Sequence, residues 1–444
     1  MPVSTETVLS DVTAASPRPQ PPFGQALATW AKVGLLSFGG PTAQIALMHR
    51  VVVDEKKWLS EPLFLNALSF CMLLPGPEAM QLATYMGWRL HGLAGGLAAG
   101  LLFVAPGALV VLALSMIYAV FGQVPLVEAV FFGIKAAVLV IVIEALLRIA
   151  RRALTGSAHW AIAALSFVAI FFLALPFPLI VAAAALFGFL RAPAGPATLD
   201  IASPGPANLR RTLRTILVGL TVWLAPLFAL TAVFGREHMV SQLAWFFSKL
   251  AVVTFGGAYA VLAYMGQDVV VRHGWLEAGQ MLDGLGLAET TPGPLILVTE
   301  FVGFLAMWRA GGEAAWAMGL LGAAVALWAT FVPCFLWIFA GAPYVDWINA
   351  QPRLRGALAA ITAAVVGVIA NLALWFGLHV FFREVRLTEA GILHLWTPDL
   401  ASLDWRVVAL ASVSSVLLLR LHWGIPAVLA VVAALGVALR AGGF

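Results

Sequence analysis

The sequence predicts an all-α polytopic membrane protein made of two homologous repeats. Three observations carry that prediction. Of 444 residues, 62% are hydrophobic and only 10% charged, against roughly 25% charged in a soluble domain, and the mean hydropathy is +0.97. The stretches 96–127, 153–190, 215–235, 314–345 and 356–382 contain no Asp, Glu, Lys or Arg, and each reaches the ~20 residues with which a helix crosses a bilayer. A β-barrel would alternate polar and apolar residues instead. Finally, two uncommon triplets recur in one register: Phe38-Gly39-Gly40 returns as Phe255-Gly256-Gly257 and Pro75-Gly76-Pro77 as Pro292-Gly293-Pro294, with 255 − 38 = 292 − 75 = 217.

The same shift pairs Lys32 with Lys249, Met48 with Met265, Trp58 with Trp275 and Leu68 with Leu285, sets Asn66 opposite Asp283, and needs no gap from 32 to 77. Such a run implies duplication. Duplicated transporters often carry their copies in opposite membrane orientation, with a site between them at broken helices. Loop 49–58 holds Arg50, Lys56 and Lys57, whereas its counterpart 266–275 holds only Arg272 among Lys and Arg. Basic residues favour the cytoplasmic side, so inverted copies are expected.

Taken in order, residues 1–24 read as a disordered Ser/Thr/Pro-rich tail, without the basic start and apolar core of a signal peptide. The first repeat is expected over 25–191, a Pro/Gly/Ala-rich linker over 192–212, and the second repeat over 213–444. Segment 23–50 is apolar but interrupted at Gly39-Gly40-Pro41. Segment 63–74 is too short to span and meets Pro75-Gly76-Pro77, through which a straight helix cannot pass, since Pro lacks the N–H and clashes with the preceding turn. Gly92, Gly96 and Gly100 have the four-residue spacing of a close helix-packing face. Spans follow at 97–121 and 126–147, then the basic cluster Arg148, Arg151 and Arg152, placed in a cytoplasmic loop. Residues 158–190 read as a hairpin turning at Pro176-Phe177-Pro178. After Arg210, Arg211 and Arg214 the second half repeats the pattern, with later spans at 315–340, 356–382, 407–419 and 425–439. The total expected is about 10–12 membrane segments.

The residues resemble a known family. Phe38-Gly39-Gly40-Pro41 with Gln44, then Met72-Leu73-Leu74-Pro75-Gly76-Pro77-Glu78-Ala79 and Tyr85-Met86-Gly87-Trp88, are similar to the first domain of the chromate ion transporter family. Phe255-Gly256-Gly257, Trp275, Asp283-Gly284-Leu285 and Thr291-Pro292-Gly293-Pro294 are similar to its second domain. The likeness runs over about residues 25–345 and fits the long-chain, two-domain type. It implies export of chromate, a mimic of sulfate, across the cytoplasmic membrane of a prokaryote, with chromate resistance as the consequence.

Chromate is a tetrahedral dianion, and crossing hydrocarbon bare is prohibitive. Helix N-termini offer free N–H groups and the positive dipole end. Irregular backbone at membrane depth is tolerated only where it is buried or lines a wet cavity. The breaks at Phe38, Gly39, Gly40 and Pro41, at Pro75, Gly76 and Pro77, at Phe255, Gly256 and Gly257, and at Pro292, Gly293 and Pro294 are therefore expected to converge on one anion site. Lys32 and Lys249 would add inward positive charge or else snorkel to the interface. Gln44, Gln81, Asn66, Thr290 and Thr291 are candidate hydrogen-bond donors to the anion or caps for neighbouring backbone. Glu78, Asp283 and Glu289 would repel the anion, so proton coupling is their candidate role, with Asp283 alternatively pairing with a Lys. Arg50, Arg89 and Arg309 read as interfacial.

No nucleotide-binding loop, metalloprotease or serine-hydrolase motif occurs. The scattered histidines predict no metal site, Cys71 and Cys334 read as buried hydrophobes, and no cofactor or nucleic-acid partner is expected. The expected partners are a small oxyanion, chromate first and sulfate second, and the lipid bilayer; a homodimer is open to it. Other anions on the same scaffold, a membrane-embedded lipid enzyme and a passive channel are the alternatives.

Overall fold

The computed structural model describes residues 20–193, 206–255, 258–391 and 393–442. Most of the expected tail and linker, together with Gly256 and Gly257, lies outside the described residues.

The chain breaks where Gly and Pro require it. α1 (Phe23–Leu36) stops before Phe38, and Gly39 (φ +85°) and Gly40 (φ +78°) take a left-handed backbone that side chains disfavour. α2 (Gly40–His49) carries Pro41 in its first turn, where a missing N–H costs nothing, and widens into a π turn over Arg50–Glu55. α3 (Glu61–Leu73) ends against Pro75-Gly76-Pro77, with Gly76 at φ +123°. α4 (Glu78–Phe121) is two helices in a hairpin, because His91 and Gly92 leave helical geometry and Gly87 backs onto Gly95 and Ala99. Gly92 thus forms the turn and does not join the expected packing face; Gly96 and Gly100 do, against Phe339 and Phe335. α5 (Pro125–Ala153), α6 (Ser157–Phe171) and α7 (Phe177–Arg191) complete the first copy.

After α8 (Pro206–Phe234) the series returns. α9 (Met239–Val253), α10 (Ala258–Gln267) with its own π turn Asp268–Arg272, and α11 (Ala278–Thr290) match α1, α2 and α3. Beyond the second Pro-Gly-Pro, α12 (Val298–Ala310) and α13 (Ala315–Gly341) match the two arms of α4. The short α14 (Val345–Asn349) precedes α15 (Pro352–Phe381), the counterpart of α5, and α16 (Trp405–Ser415) and α17 (Ile425–Ala441) match α6 and α7. The register has by then grown: Pro106 matches Pro333 and Pro125 matches Pro352, with 333 − 106 = 352 − 125 = 227. An antiparallel hairpin of β1 (Val385–Ala390) and β2 (Leu393–Pro398), with Val385 opposite Pro398, lies between α15 and α16. It is an addition to the otherwise helical fold that the sequence reading did not include.

The copies interlock reciprocally. α5 packs on α16 and α17 of the second copy, and α15 packs on α6 and α7 of the first. Glycines make the contacts close: Gly133 lies against the Val432 carbonyl, Gly436 against Ala129, Gly188 against Gly356, and Gly367 against Ala163. In lipid, where apolar side chains gain nothing by leaving solvent, such backbone approach is what holds helices together. α5 and α15 pack side by side in opposite directions. Leu139 lies beside Gly377 near the end of α15, whereas Arg148 and Arg152 share a cavity with Leu358 and Thr362 near its start. Five helical stretches among the described residues are long and apolar enough to cross a membrane.

Candidate functional site

The two Pro-Gly-Pro breaks meet the opposite copy. The Gly76 amide donates to the Thr254 carbonyl and the Gly293 amide to the Ser37 carbonyl, both at 2.8 Å. The register explains the pairing: 37 + 217 = 254 and 76 + 217 = 293. Each acceptor is the residue that ends the first helix of its copy. Gln44, 1% exposed, donates to the Gly293 carbonyl (2.6 Å), and Gln81 donates to the Pro75 carbonyl (2.7 Å). The expectation that these glycine amides stand free for an anion therefore does not hold in this conformation. Each is engaged by the other copy, and the prolines on either side have no N–H to offer.

Thr290 and Thr291 donate to the carbonyls of Leu287 and Ala288, closing the end of α11. Asn66 donates to Asp346 at 2.6 Å. Phe38 is exposed, and Phe255 packs on the core. Lys32 is exposed on α1, away from the inward position one reading gave it. Lys249 lies over the Tyr264 ring and lines a separate cavity with Asp268, Arg272 and His273.

What the fold does bring together is a cavity of about 370 Å³ at the seam between the copies. Gly39, Gly40 and Pro41 contribute the start of α2; Glu78 contributes the start of α4. From α5 come Glu144, Arg148 and Arg152, one turn apart on one helix face, and Tyr259 enters from α10. Glu144 and Arg148 pair with each other, leaving Arg152 and Glu78 without an ion-pair partner among the described residues. Behind the cavity wall the Tyr259 hydroxyl donates to Glu289 Oε1 at 2.8 Å, and Glu289 Oε2 has no hydrogen-bond partner. The arginines and the α2 N-terminus supply the positive side of this site, and Glu78 and Glu144 the negative side.

A second cavity, about 690 Å³, opens at the other end of α5. Lys135, Asp283, Tyr118, Arg309, Arg406 and Arg440 are in its wall. Lys135 Nζ lies 3.3 Å from Asp283 Oδ2, and the Tyr118 hydroxyl donates to the same oxygen at 2.7 Å. Asp283 thus pairs with a lysine, one of the two roles its position suggested. Lys135 and Glu144 are separated by roughly 13 Å of helix at 1.5 Å per residue, and that short stretch of α5 divides the cavities.

Sequence reading singled out Gly39, Gly40, Pro41, Glu78, Glu289 and Asp283. It missed Lys135, Tyr259 and the inward face of α5. The i, i+4, i+8 spacing of Glu144, Arg148 and Arg152 is visible in the sequence, but there Glu144 falls in the expected span 126–147 and the two arginines in the expected loop cluster, whereas all three lie on α5.

The chain matches the Chromate transporter family over residues 24–189 and 241–438, one match in each repeat. It is 33% identical over 373 residues to a chromate transport protein of Pseudomonas aeruginosa, covering 81% of this chain and 82% of that one. It is 31% identical to a probable chromate transport protein of Synechococcus elongatus, covering 78% and 82%, and 30% identical to a chromate transport protein of Cupriavidus metallidurans, covering 76% and 78%. No solved structure matches the chain. A duplicated helical membrane protein with broken helices crossing at its seam, matched in both halves, belongs to the chromate transporter family.

Proposed function

We propose that the chain is a secondary transporter that exports chromate across the cytoplasmic membrane and so confers chromate resistance, with sulfate as the second candidate substrate. The observation that carries this reading is the pair of cavities at opposite ends of α5, divided by a short buried plug at the seam of two interlocked copies. Alternating access needs such a divided path. The opposed directions of the matching helices α5 and α15 support inverted copies related by an axis in the membrane plane. Arg148, Arg151 and Arg152 at the end of α5, with Arg210, Arg211 and Arg214 at the start of α8, support a cytoplasmic location for the smaller cavity through the positive-inside bias.

In this reading a dianion enters beside Arg152 and the start of α2, where backbone N–H groups and guanidinium replace its water. Glu144 holds Arg148 until the anion competes for it. Glu78 and Glu289 carry the coupling protons, since a carboxylate can share a path with a dianion only when its own charge alternates.

The test is uptake of radiolabelled chromate by everted membrane vesicles with and without an imposed proton gradient. Gradient-dependent accumulation is expected. Downhill flux indifferent to the gradient would make the protein a channel, and no flux by correctly folded protein would end the transport reading.

A further inference from the structure

We propose that the larger cavity is a second oxyanion subsite on the exit side, in which Lys135 is the ligand and Asp283 holds it until a tetrahedral dianion takes its place.

The cavity wall carries four cations, Lys135, Arg309, Arg406 and Arg440, against three carboxylates, Glu128, Glu277 and Asp283. Three of the cations are already partnered: Arg440 with Glu128 at 2.9 Å, Arg406 with Asp404, and Lys135 with Asp283. Arg309 has no ion-pair partner among the described residues.

The Lys135–Asp283 pair differs from the others in its surroundings. Asp283 is 3% exposed, and its Oδ1 lacks any hydrogen-bond partner, while Oδ2 receives both the Lys135 and Tyr118 contacts. Lys135, by contrast, keeps about a third of its side chain open to the cavity (30%). Its ammonium lies over Gly279, where a Cβ would come to 3.1 Å, so the missing side chain leaves that approach clear.

An under-satisfied carboxylate holding a lysine about a third exposed is a pairing that an incoming dianion can displace. The ammonium exchanges one acceptor for a doubly charged one, and Tyr118 retains Asp283. Immediately inward, Gly286 of α11 packs on Ile134 and Val138 of α5. The pair therefore sits at the mouth of the apolar plug between the cavities.

This inference rests on the transport reading above, and its test separates the two. Everted vesicles put the exit cavity on the lumenal side. Unlabelled chromate loaded in the lumen is expected to inhibit initial uptake of labelled chromate by wild-type protein. Lys135→Met should raise the lumenal concentration giving half-inhibition by roughly tenfold or more, while leaving the KM for chromate outside within about twofold. Asp283→Asn should shift half-inhibition the other way, because Lys135 is then released. Lys135→Arg, which keeps the charge, should behave close to wild type and shows that the position tolerates change. If Lys135→Met responds to lumenal chromate as wild type does, or changes both sides equally, the subsite is overturned. Absence of any uptake by wild-type vesicles would instead sink the transport reading.

Discussion

The amide of Gly76 donates to the carbonyl of Thr254 over 2.8 Å, and its duplicate, Gly293 to Ser37, does the same in the opposite sense. Each repeat thus uses the break in its own helix to hold the end of the other's first helix. A helix end buried in a membrane leaves carbonyls that water cannot reach. The interruption in one copy satisfies a group exposed by the interruption in the other.

That exchange leaves no room at Gly76. A Cβ there would lie 2.8 Å from both Cys334 Sγ and Gln81 Nε2, at φ +123°. Gly76→Ala is expected to lower stability by about 2–4 kcal/mol, combining backbone strain with overpacking. Gly293→Ala should cost less, because its nearest neighbour is the flexible tip of Leu297 at 3.1 Å. Thermal unfolding of both variants in detergent checks the order; equal loss, or a larger loss at Gly293, would contradict it.

Gln44 ties the first copy to the second through the Gly293 carbonyl at 2.6 Å. Gln44→Leu keeps the volume and removes the donor. A loss of about 1–3 kcal/mol is expected from the acceptor left buried and unpaired, read as a lower melting temperature with unchanged helical circular dichroism.

Arg152 is the cation in the smaller cavity without a carboxylate partner among the described residues. Arg152→Met should raise the KM for chromate on the cytoplasmic side by roughly tenfold and alter kcat less, as loss of ground-state anion binding does. Arg151→Met, on the same turn but outside the cavity wall, should change neither constant. Vesicle kinetics on both variants decides whether the α5 face or the general basic charge matters.

If Glu289 carries a coupling proton, Glu289→Gln should flatten the pH dependence of uptake while the protein stays folded. Tyr259→Phe, which removes only the hydrogen bond to Glu289 Oε1, should displace the pH profile without flattening it. A profile identical to wild type in both variants removes Glu289 from the coupling.

Outside the membrane helices, Asp404 caps α16. It accepts hydrogen bonds from Arg406 and Arg383 that hold its carboxyl well below the usual carboxylate range, against the opposing effect of burial. Because its folded pKa is depressed, this stabilisation is present in full above the ordinary carboxylate value of about 4 and is lost as pH falls below it. Asp404→Asn should therefore lower the melting temperature at pH 7 and narrow the gap to wild type toward pH 3. A gap that stays constant over that range would show that the cap acts through shape alone.

Much of this architecture could be read directly from the residues. Charge-free runs of spanning length and a gapless 217-residue register allow no common alternative to duplicated membrane helices. Pro-Gly-Pro and Phe-Gly-Gly had to interrupt those helices, since the constraints act within a few residues of chain. The insertion that moves the register to 227 and the β hairpin were not legible, because each follows from how later segments fit an already assembled core.

The site was legible only in part, for the same physical reason. Local chemistry marks which backbone groups lose their helical partners, and so pointed to Gly39, Gly40, Glu78 and Glu289. It does not say what fills the gap. Whether Gly76 and Gly293 offer their amides to an anion or to Thr254 and Ser37 depends on where the other copy lies, with 254 − 76 = 178 and 293 − 37 = 256 residues of chain between the partners. The inward turn of Arg148, Arg152 and Lys135 likewise depends on α5 lying against the opposite repeat, a matter of packing between glycine-lined helices that only the tertiary structure decides.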